Sequence, residues 1–276
     1  MRAVVVGGDG VPRLEEVPDP SAGSFRVLAC GLCGSDVEKL AAPTAGSVLG
    51  HEVVAETDDG RAVLVHHLPC GECDRCRGGH ESTCERFRAE TIVPGGFSER
   101  VAATGGWVRL PDRVEAATGT YAEPLACVLR GAERVPAGDV LVLGGGFVGR
   151  LFAAVLRRRG DDVHVFDSDP ARSEGVPGQR FPAVVTTAPA DPVAHVSPGG
   201  TVLVFASAPP LDVERVYREE LTVTGARSAT PRHLEAAVAL LPELDLPEPV
   251  VLPLERFEEG LELYRERRAL KVVFTP

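Results

Sequence analysis

Between Asp139 and Asp167 the chain reads DVLVLGGGFVGRLFAAVLRRRGDDVHVFD, and this stretch restricts the fold more than any other. Val140–Leu143 is a short apolar, β-branched run, which predicts a buried strand. Gly144, Gly146 and Gly149 follow as G-x-G-x-x-G, with Phe147 and Val148 between the last two. Phe147–Arg159 keeps helical spacing until Gly160 stops it. Val163–Phe166 reads as a second strand, closed by Asp167. Strand, glycine turn, helix, strand and acid in that order predict a dinucleotide-binding unit in a doubly wound parallel sheet. The glycines let the backbone approach a pyrophosphate, and the helix N-terminus offers free N–H groups and a positive dipole end. Asp167 stands where a carboxylate accepts from a ribose 2′-OH and repels a 2′-phosphate. That predicts NAD rather than NADP. Ser168 and Arg172 work in the opposite direction, and Arg172 joins the candidate cofactor contacts.

At 276 residues the chain is long enough for two ordinary domains. A net charge of −11 speaks against nucleic acid or an anionic membrane as a partner. No apolar run reaches transmembrane length, and Met1-Arg2 leads straight into a strand, so neither a membrane span nor a secretory leader is expected. Seven cysteines in such a chain suggest metal rather than disulfides and a cytoplasmic location. Arg outnumbers Lys by 27 to 2. Because the arginines are dispersed among more numerous acids, this reads as codon usage rather than a binding surface.

Residues 1–29 predict short strands at Ala3–Val6, Arg13–Glu16 and Phe25–Ala29, hence a β-rich domain. CGLCGSDVEKL (Cys30 to Leu40) follows, with a helix starting at Cys33, and then LGHEVVAE, with His51 and Glu52 at the start of a strand. Cys70, Cys73, Cys76 and Cys84 are spaced C-x2-C-x2-C-x7-C. Four thiolates in one polar loop suit a closed metal site, zinc or an iron–sulfur cluster; two disulfides are the other possibility. His66, His67 and His80 read as exposed loop histidines. Ala116–Ala132 predicts one helix carrying Glu123, with Cys127 one turn on. Beyond Asp167, strands are expected at Pro182–Thr187, Thr201–Ala206 and Leu221–Gly225, with a short helix at Ala190–Val196. The Gly- and Pro-rich SDPARSEGVPGQRF leaves no room for another strand–helix pair, so the sheet is expected to be trimmed. Arg232–Leu241 and Phe257–Arg267 read as helices and Lys271–Phe274 as the last strand.

CGLCGSD, LGHE, the four-cysteine lobe, PGGFSERV, YAEPLACVLRG, GGGFVG with Asp167, and ALKVVFTP occur in one order along nearly the whole chain. Together they resemble the zinc-containing medium-chain dehydrogenases, the alcohol, sorbitol and threonine dehydrogenase group. The resemblance implies an α/β protein: a β-rich GroES-like catalytic domain over residues 1–126 and 229–276, and an abbreviated Rossmann cofactor domain over 127–228. It implies two Zn²⁺ per chain, one structural in the cysteine lobe. The other, catalytic, would be held by Cys33, His51 and Glu123, with Glu52 behind the metal or on it. Three protein ligands leave a position for an alcohol oxygen, and zinc lowers the pKa of that hydroxyl. Ser35 matches the hydroxyl that passes the proton outward. Where the family often has a histidine ending that relay, this chain has Glu38, a carboxylate able to act as base. Asp36 reads as a helix cap or a support for a ligand.

The reaction so implied interconverts a secondary alcohol and a ketone on a polyol, sugar or cyclitol. Glu123 and EPLACVLRG resemble the polyol and aminocyclitol branch. An alternative is a ketone reductase on an aminosugar or aminocyclitol intermediate of natural-product biosynthesis. A catalytically silent dinucleotide-binding scaffold with only structural zinc is the non-enzymatic alternative; a zinc-module nucleic-acid binder conflicts with the charge. Family resemblance also implies a homo-oligomer, dimer or tetramer.

Overall fold

The computed structural model describes residues 1–20, 23–88, 91–175 and 178–276. The chain divides into two compact units, Met1–Pro124 with Ala229–Glu243 and Pro247–Pro276, and Leu125–Ser228 with Leu244–Leu246. Residues 125–126 thus group with the second unit.

The first unit is built on strands. β1 (Arg2–Val6) and β2 (Pro12–Glu16) form an antiparallel pair. β3 (Phe25–Gly31) leads into helix α1 (Gly34–Ala41), and β4 (Glu52–Thr57) and β5 (Gly60–Leu64) follow. The cysteine lobe contributes the single turn α2 (Asp74–Arg77) and a 3₁₀ turn, Glu81–Thr83. Then come β6 (Ile92–Val93), β7 (Arg100–Ala103) and β8 (Trp107–Arg109). The stretch expected as one helix breaks at Thr120-Tyr121 into α3 (Ala116–Gly119) and α4 (Ala122–Ala132). The chain returns to this unit as α7 (Pro231–Leu240), β14 (Val250–Pro253), α8 (Phe257–Arg265) and β15 (Val272–Thr275), after the second unit's elements given below. The main sheet runs β14-β15-β3-β4-β5-β8, with β7 pairing β3 and β6. Its core is apolar, centred on Phe97, Phe257 and Phe274, whose rings meet at 4.6–5.6 Å. Phe97 from PGGFSERV is fully buried there.

The second unit holds β9 (Asp139–Leu143), α5 (Phe147–Arg159), β10 (Asp162–Phe166), β11 (Phe181–Thr186), β12 (Val196–Val204), α6 (Val213–Arg218) and β13 (Thr222–Gly225). All neighbours in the sheet β10-β9-β11-β12-β13 are parallel. Central β9 is apolar and buried from Val140 on, whereas edge strand β10 alternates exposed and buried residues, as burial on two faces or one requires. The sheet is trimmed: among the described residues no strand lies between Asp167 and Phe181, and β10 is an edge. Val176 and Pro177 of that interval lie outside the described residues. The short helix expected at 190–196 is a single 3₁₀ turn, Val193–His195. α6 was not expected; Asp212 caps it by accepting from Arg215 N. No helix among the described residues is long and apolar enough to cross a membrane.

Candidate active site and metal centres

Cys33 caps α1, and Asp36, three residues on, sends Oδ2 back to accept from Cys33 N at 3.2 Å. Asp36 Oδ1 accepts from Gly50 N at 3.3 Å. Gly50 holds φ +94°, and a side chain there would strike Cys30 and Phe97, so only glycine turns the chain into the start of β4. That turn buries His51 and Glu52, at 7 % and 1 % exposure.

The ligating atoms of Cys33, His51 and Glu52 lie within 4.8 Å of one another. His51 Nδ1 stands 3.3 Å from Asp36 Oδ1, without the geometry of a formed hydrogen bond. That contact leaves Nε2 as the outward nitrogen, the usual arrangement of a metal-ligating histidine backed by a carboxylate. Burial alone pushes the His51 pKa down; the charge of Asp36, with help from Cys33, outweighs it and holds the imidazole well above its ordinary value. Asp36 is in turn held below the usual carboxylate range: burial pushes it up, and His51 and Cys33 N more than compensate. One half-buried thiol converging with a buried imidazole and a buried carboxylate suits a zinc ion with an open fourth position.

Ser35 donates to Cys33 Sγ at 3.4 Å. Glu38 is exposed on α1, and no hydrogen bond or ion pair among the described residues joins it to Ser35 or Cys33. Glu123, at 6 % exposure, is not brought into the three-residue set. Its Oε1 lies 3.8 Å from His67 Nδ1, in a pocket also lined by Val65, His66, Thr230 and Leu234.

The histidines correct the reading of His66 and His67 as exposed loop residues. His66 stacks on His51 with ring centroids 4.6 Å apart, and His67 packs on His66 at 4.0 Å. Burial, with the neighbouring imidazoles, pushes His66 down to about 2, so it is neutral. Of these three loop histidines His80 alone is exposed, and the other two are half-buried. The signal was the position of the pair, directly after the buried end of β5. Lys271 was also passed over as a site residue. It is 3 % exposed, and its Nζ donates to Glu52 Oε2 and, at 3.0 Å, to Leu32 O.

In the lobe, none of the cysteines is disulfide-bonded, and the four sulfurs lie within 4.8 Å of one another. Cys70–Cys76 and Cys73–Cys84 are 3.9 Å apart. Tetrahedral ligands about 2.3 Å from one ion stand roughly 3.8 Å apart, whereas bonded sulfurs stand about 2.05 Å apart. Backbone N–H groups of Glu72 and Cys73 point at Cys70 Sγ and lower its pKa to about 6, favouring the thiolate that a metal needs.

In the second unit, Gly144 holds φ +103°, and a Cβ on Gly149 would overlap Gly144 O. A Cβ on Gly146, the N-cap of α5, would meet nothing within 4 Å. This open space lies at a helix N-terminus and suits the approach of a pyrophosphate. Phe147 and Val148 open that helix. Asp167 Oδ2 accepts from Gly145 N at 2.7 Å, and Arg172 Nε lies 3.6 Å from Asp169 Oδ2.

Residues 23–112 match the family model of the alcohol dehydrogenase GroES-like domain. D-altritol 5-dehydrogenase of Agrobacterium fabrum is 30 % identical over 300 residues, covering 87 % of this chain and 88 % of that protein. 2-Dehydro-3-deoxy-L-galactonate 5-dehydrogenase of Pseudoalteromonas atlantica is 28 % identical, covering 80 % and 81 %. Among solved structures, L-idonate 5-dehydrogenase of Escherichia coli superposes with a TM-score of 0.79 over 100 % of this chain and 98 % of that one, at 18 % identity, a likeness of fold. On the ligand pattern, the paired folds and these matches, the chain belongs to the zinc-containing medium-chain dehydrogenase/reductases, oxidoreductases that interconvert alcohols and carbonyls with a nicotinamide cofactor.

Proposed function

We propose that this protein interconverts a secondary alcohol and a ketone on a polyol, sugar acid or cyclitol, using NAD and two zinc ions per chain. The observation that carries the reading is the convergence of Cys33, His51 and Glu52 in one buried site backed by Asp36. These three residues hold the catalytic zinc, and the lobe of Cys70, Cys73, Cys76 and Cys84 holds the structural one. Bound zinc would supply Lewis acidity to an alcohol oxygen, and the nicotinamide cofactor would supply the hydride acceptor. Ser35 takes the hydroxyl proton outward. Because Glu38 is exposed and unconnected to Ser35, the relay leaves by another route. Glu123 and His67 line the pocket and would bind further substrate hydroxyls, favouring polar substrates; the relatives named for altritol and a sugar acid agree with that class. The first unit is the catalytic domain and the second binds the cofactor. There Gly144, Gly146, Phe147, Val148 and Gly149 shape the pyrophosphate turn, and Asp167 meets the ribose. Arg172, engaged by Asp169, does little to offset the repulsion of a 2′-phosphate, which favours NAD. Asp167→Ala should shift preference towards NADP.

A homo-oligomer is supported by apolar Val213 and Tyr217, 76 % and 78 % exposed on α6; sedimentation tests it. We read the location as cytoplasmic, in keeping with cysteines that form no disulfide among the described residues. The deciding experiment is a panel of polyols, sugar acids, cyclitols and aminosugars with NAD and NADP, followed at the nicotinamide absorbance. Turnover confined to aminosugars would favour the natural-product alternative. No turnover with one zinc per chain would leave the scaffold reading.

A further inference from the structure

A lysine buried beside a metal-ligand carboxylate is costly and calls for an explanation. Lys271 is one of only two lysines in the chain and the residue just before β15. β3 runs between β4 and β15, with Gly31 opposite Glu52 on one side and Val273 on the other. The ammonium crosses over Gly31: a Cβ there would overlap Glu52 Oε2 and come within 3.0 Å of Lys271 Cε. Leu32 O accepts from Nζ at 3.0 Å, so the ammonium is anchored independently of Glu52. Glu52 and Lys271 are 1 % and 3 % exposed, so no water-rich shell competes for the pair.

We propose that Lys271 is a positioning residue that ties down Oε2 of Glu52, so that the carboxylate presents only Oε1 to the catalytic metal and the position opposite stays open for substrate. The proposal rests on the reading of Cys33, His51 and Glu52 as zinc ligands. Charge supports it. Buried Glu52 and Asp36 and a half-buried Cys33 thiolate put three negative groups close together. A dication and one ammonium balance them; a dication alone does not. An anchored ammonium also weakens Glu52 as a donor and keeps it from wrapping around the ion through both oxygens.

The test replaces Lys271 with Met, which keeps the length but loses charge and donors, and with Arg, which keeps both. The readouts are the rate of zinc loss to a mild chelator, the visible spectrum with cobalt in the catalytic site, and kcat. For Lys271→Met the expected result is roughly tenfold slower loss of the catalytic zinc, in the range of changes made behind a metal site. The cobalt bands should weaken, because a second carboxylate oxygen expands the tetrahedral coordination, and kcat should fall. Lys271→Arg should restore the wild-type spectrum. Should Lys271→Met prove insoluble, Lys271→Gln, which keeps a donor for Leu32 O, carries the same readouts with the same expected directions. A folded neutral variant with unchanged chelation rate and cobalt spectrum overturns the proposal, as does a lower melting temperature with no spectral change. If Cys33→Ser leaves two zincs on the chain, the metal reading itself falls, independently of Lys271.

Discussion

The two cysteine-bearing centres of the first unit are built on opposite plans. The lobe takes all four sulfurs from residues 70–84, one α-helical turn, one 3₁₀ turn and connecting loop, and steadies them with backbone N–H groups. The intervening residues are mostly exposed, and no apolar core forms among them. The other centre takes Cys33 from a helix cap and His51 and Glu52 from the start of β4. It backs them with Asp36 and with Lys271, 219 residues from Glu52. It is buried, and its charges are compensated by protein groups. A local set of ligands needs the ion to have a structure. A set held by caps, strand register and ion pairs has its structure first and uses the ion for chemistry.

The sharpest break of this contrast is Cys76→Ser. Thiolate–zinc sites contribute on the order of 10 kcal/mol in small modules, so the lobe should lose its zinc and the protein much of its soluble yield and thermal stability. Zinc content and a melting curve report this. A variant that melts like wild type with both zincs removes the distinction. Cys33→Ser should do the reverse. One zinc goes, turnover falls about a thousandfold or more for several kcal/mol of lost Lewis-acid stabilisation, and the melting temperature moves by only a few degrees. A collapse of stability instead would mean that both centres are folding devices.

The same contrast explains what could be read from the amino-acid string. C-x2-C-x2-C-x7-C and G-x-G-x-x-G are local, so spacing marks them out, while the family resemblance and the strand–turn–helix context supply their chemistry. The trimmed sheet was visible too, because fourteen Gly- and Pro-rich residues, 168–181, cannot hold a strand and a helix. Lys271 was not visible: its partner Glu52 is brought to it only by the β4-β3-β15 register. A lone lysine before the apolar run VVF was the available hint. His66 and His67 were read as exposed loop histidines because the four cysteines beside them already complete a coordination shell. Stacking on His51 is a tertiary contact without a sequence period. Glu123 was read as a ligand of the catalytic zinc, and its place outside the set of Cys33, His51 and Glu52 is set by tertiary packing that no spacing conveys.

Asp36→Asn probes the supports of the distributed site. Asparagine keeps one acceptor oxygen, which can still accept from Cys33 N and hold the start of α1, while its amide NH2 cannot accept from Gly50 N, so a cost of about 1 kcal/mol in stability is expected at that turn. The charge facing His51 Nδ1 is lost, and zinc affinity at this centre should fall roughly 10–100-fold. The lobe's zinc should be untouched. Competition with a chromophoric chelator resolves the two ions, and equal loss from both would show that the centres are coupled.

The smallest expected effect belongs to Glu123→Gln, which asks where the distributed centre ends. Its carboxylate lies outside the set formed by Cys33, His51 and Glu52 and faces His67 Nδ1 at 3.8 Å. Glutamine keeps the size and one acceptor oxygen, so the pocket shape should hold. If Glu123 binds substrate hydroxyls, both zincs remain after mild chelation, and KM for a polyol rises up to roughly tenfold, about the 1.4 kcal/mol that separates a charged from a neutral acceptor. kcat changes less, because the lost contact is present in the bound substrate as well as in the transition state. A simple secondary alcohol without neighbouring hydroxyls should show almost no change, and the ratio of the two KM effects isolates the residue's role. Loss of the catalytic zinc from this variant, with partial rescue by added zinc, would extend the metal centre to Glu123 as a direct ligand.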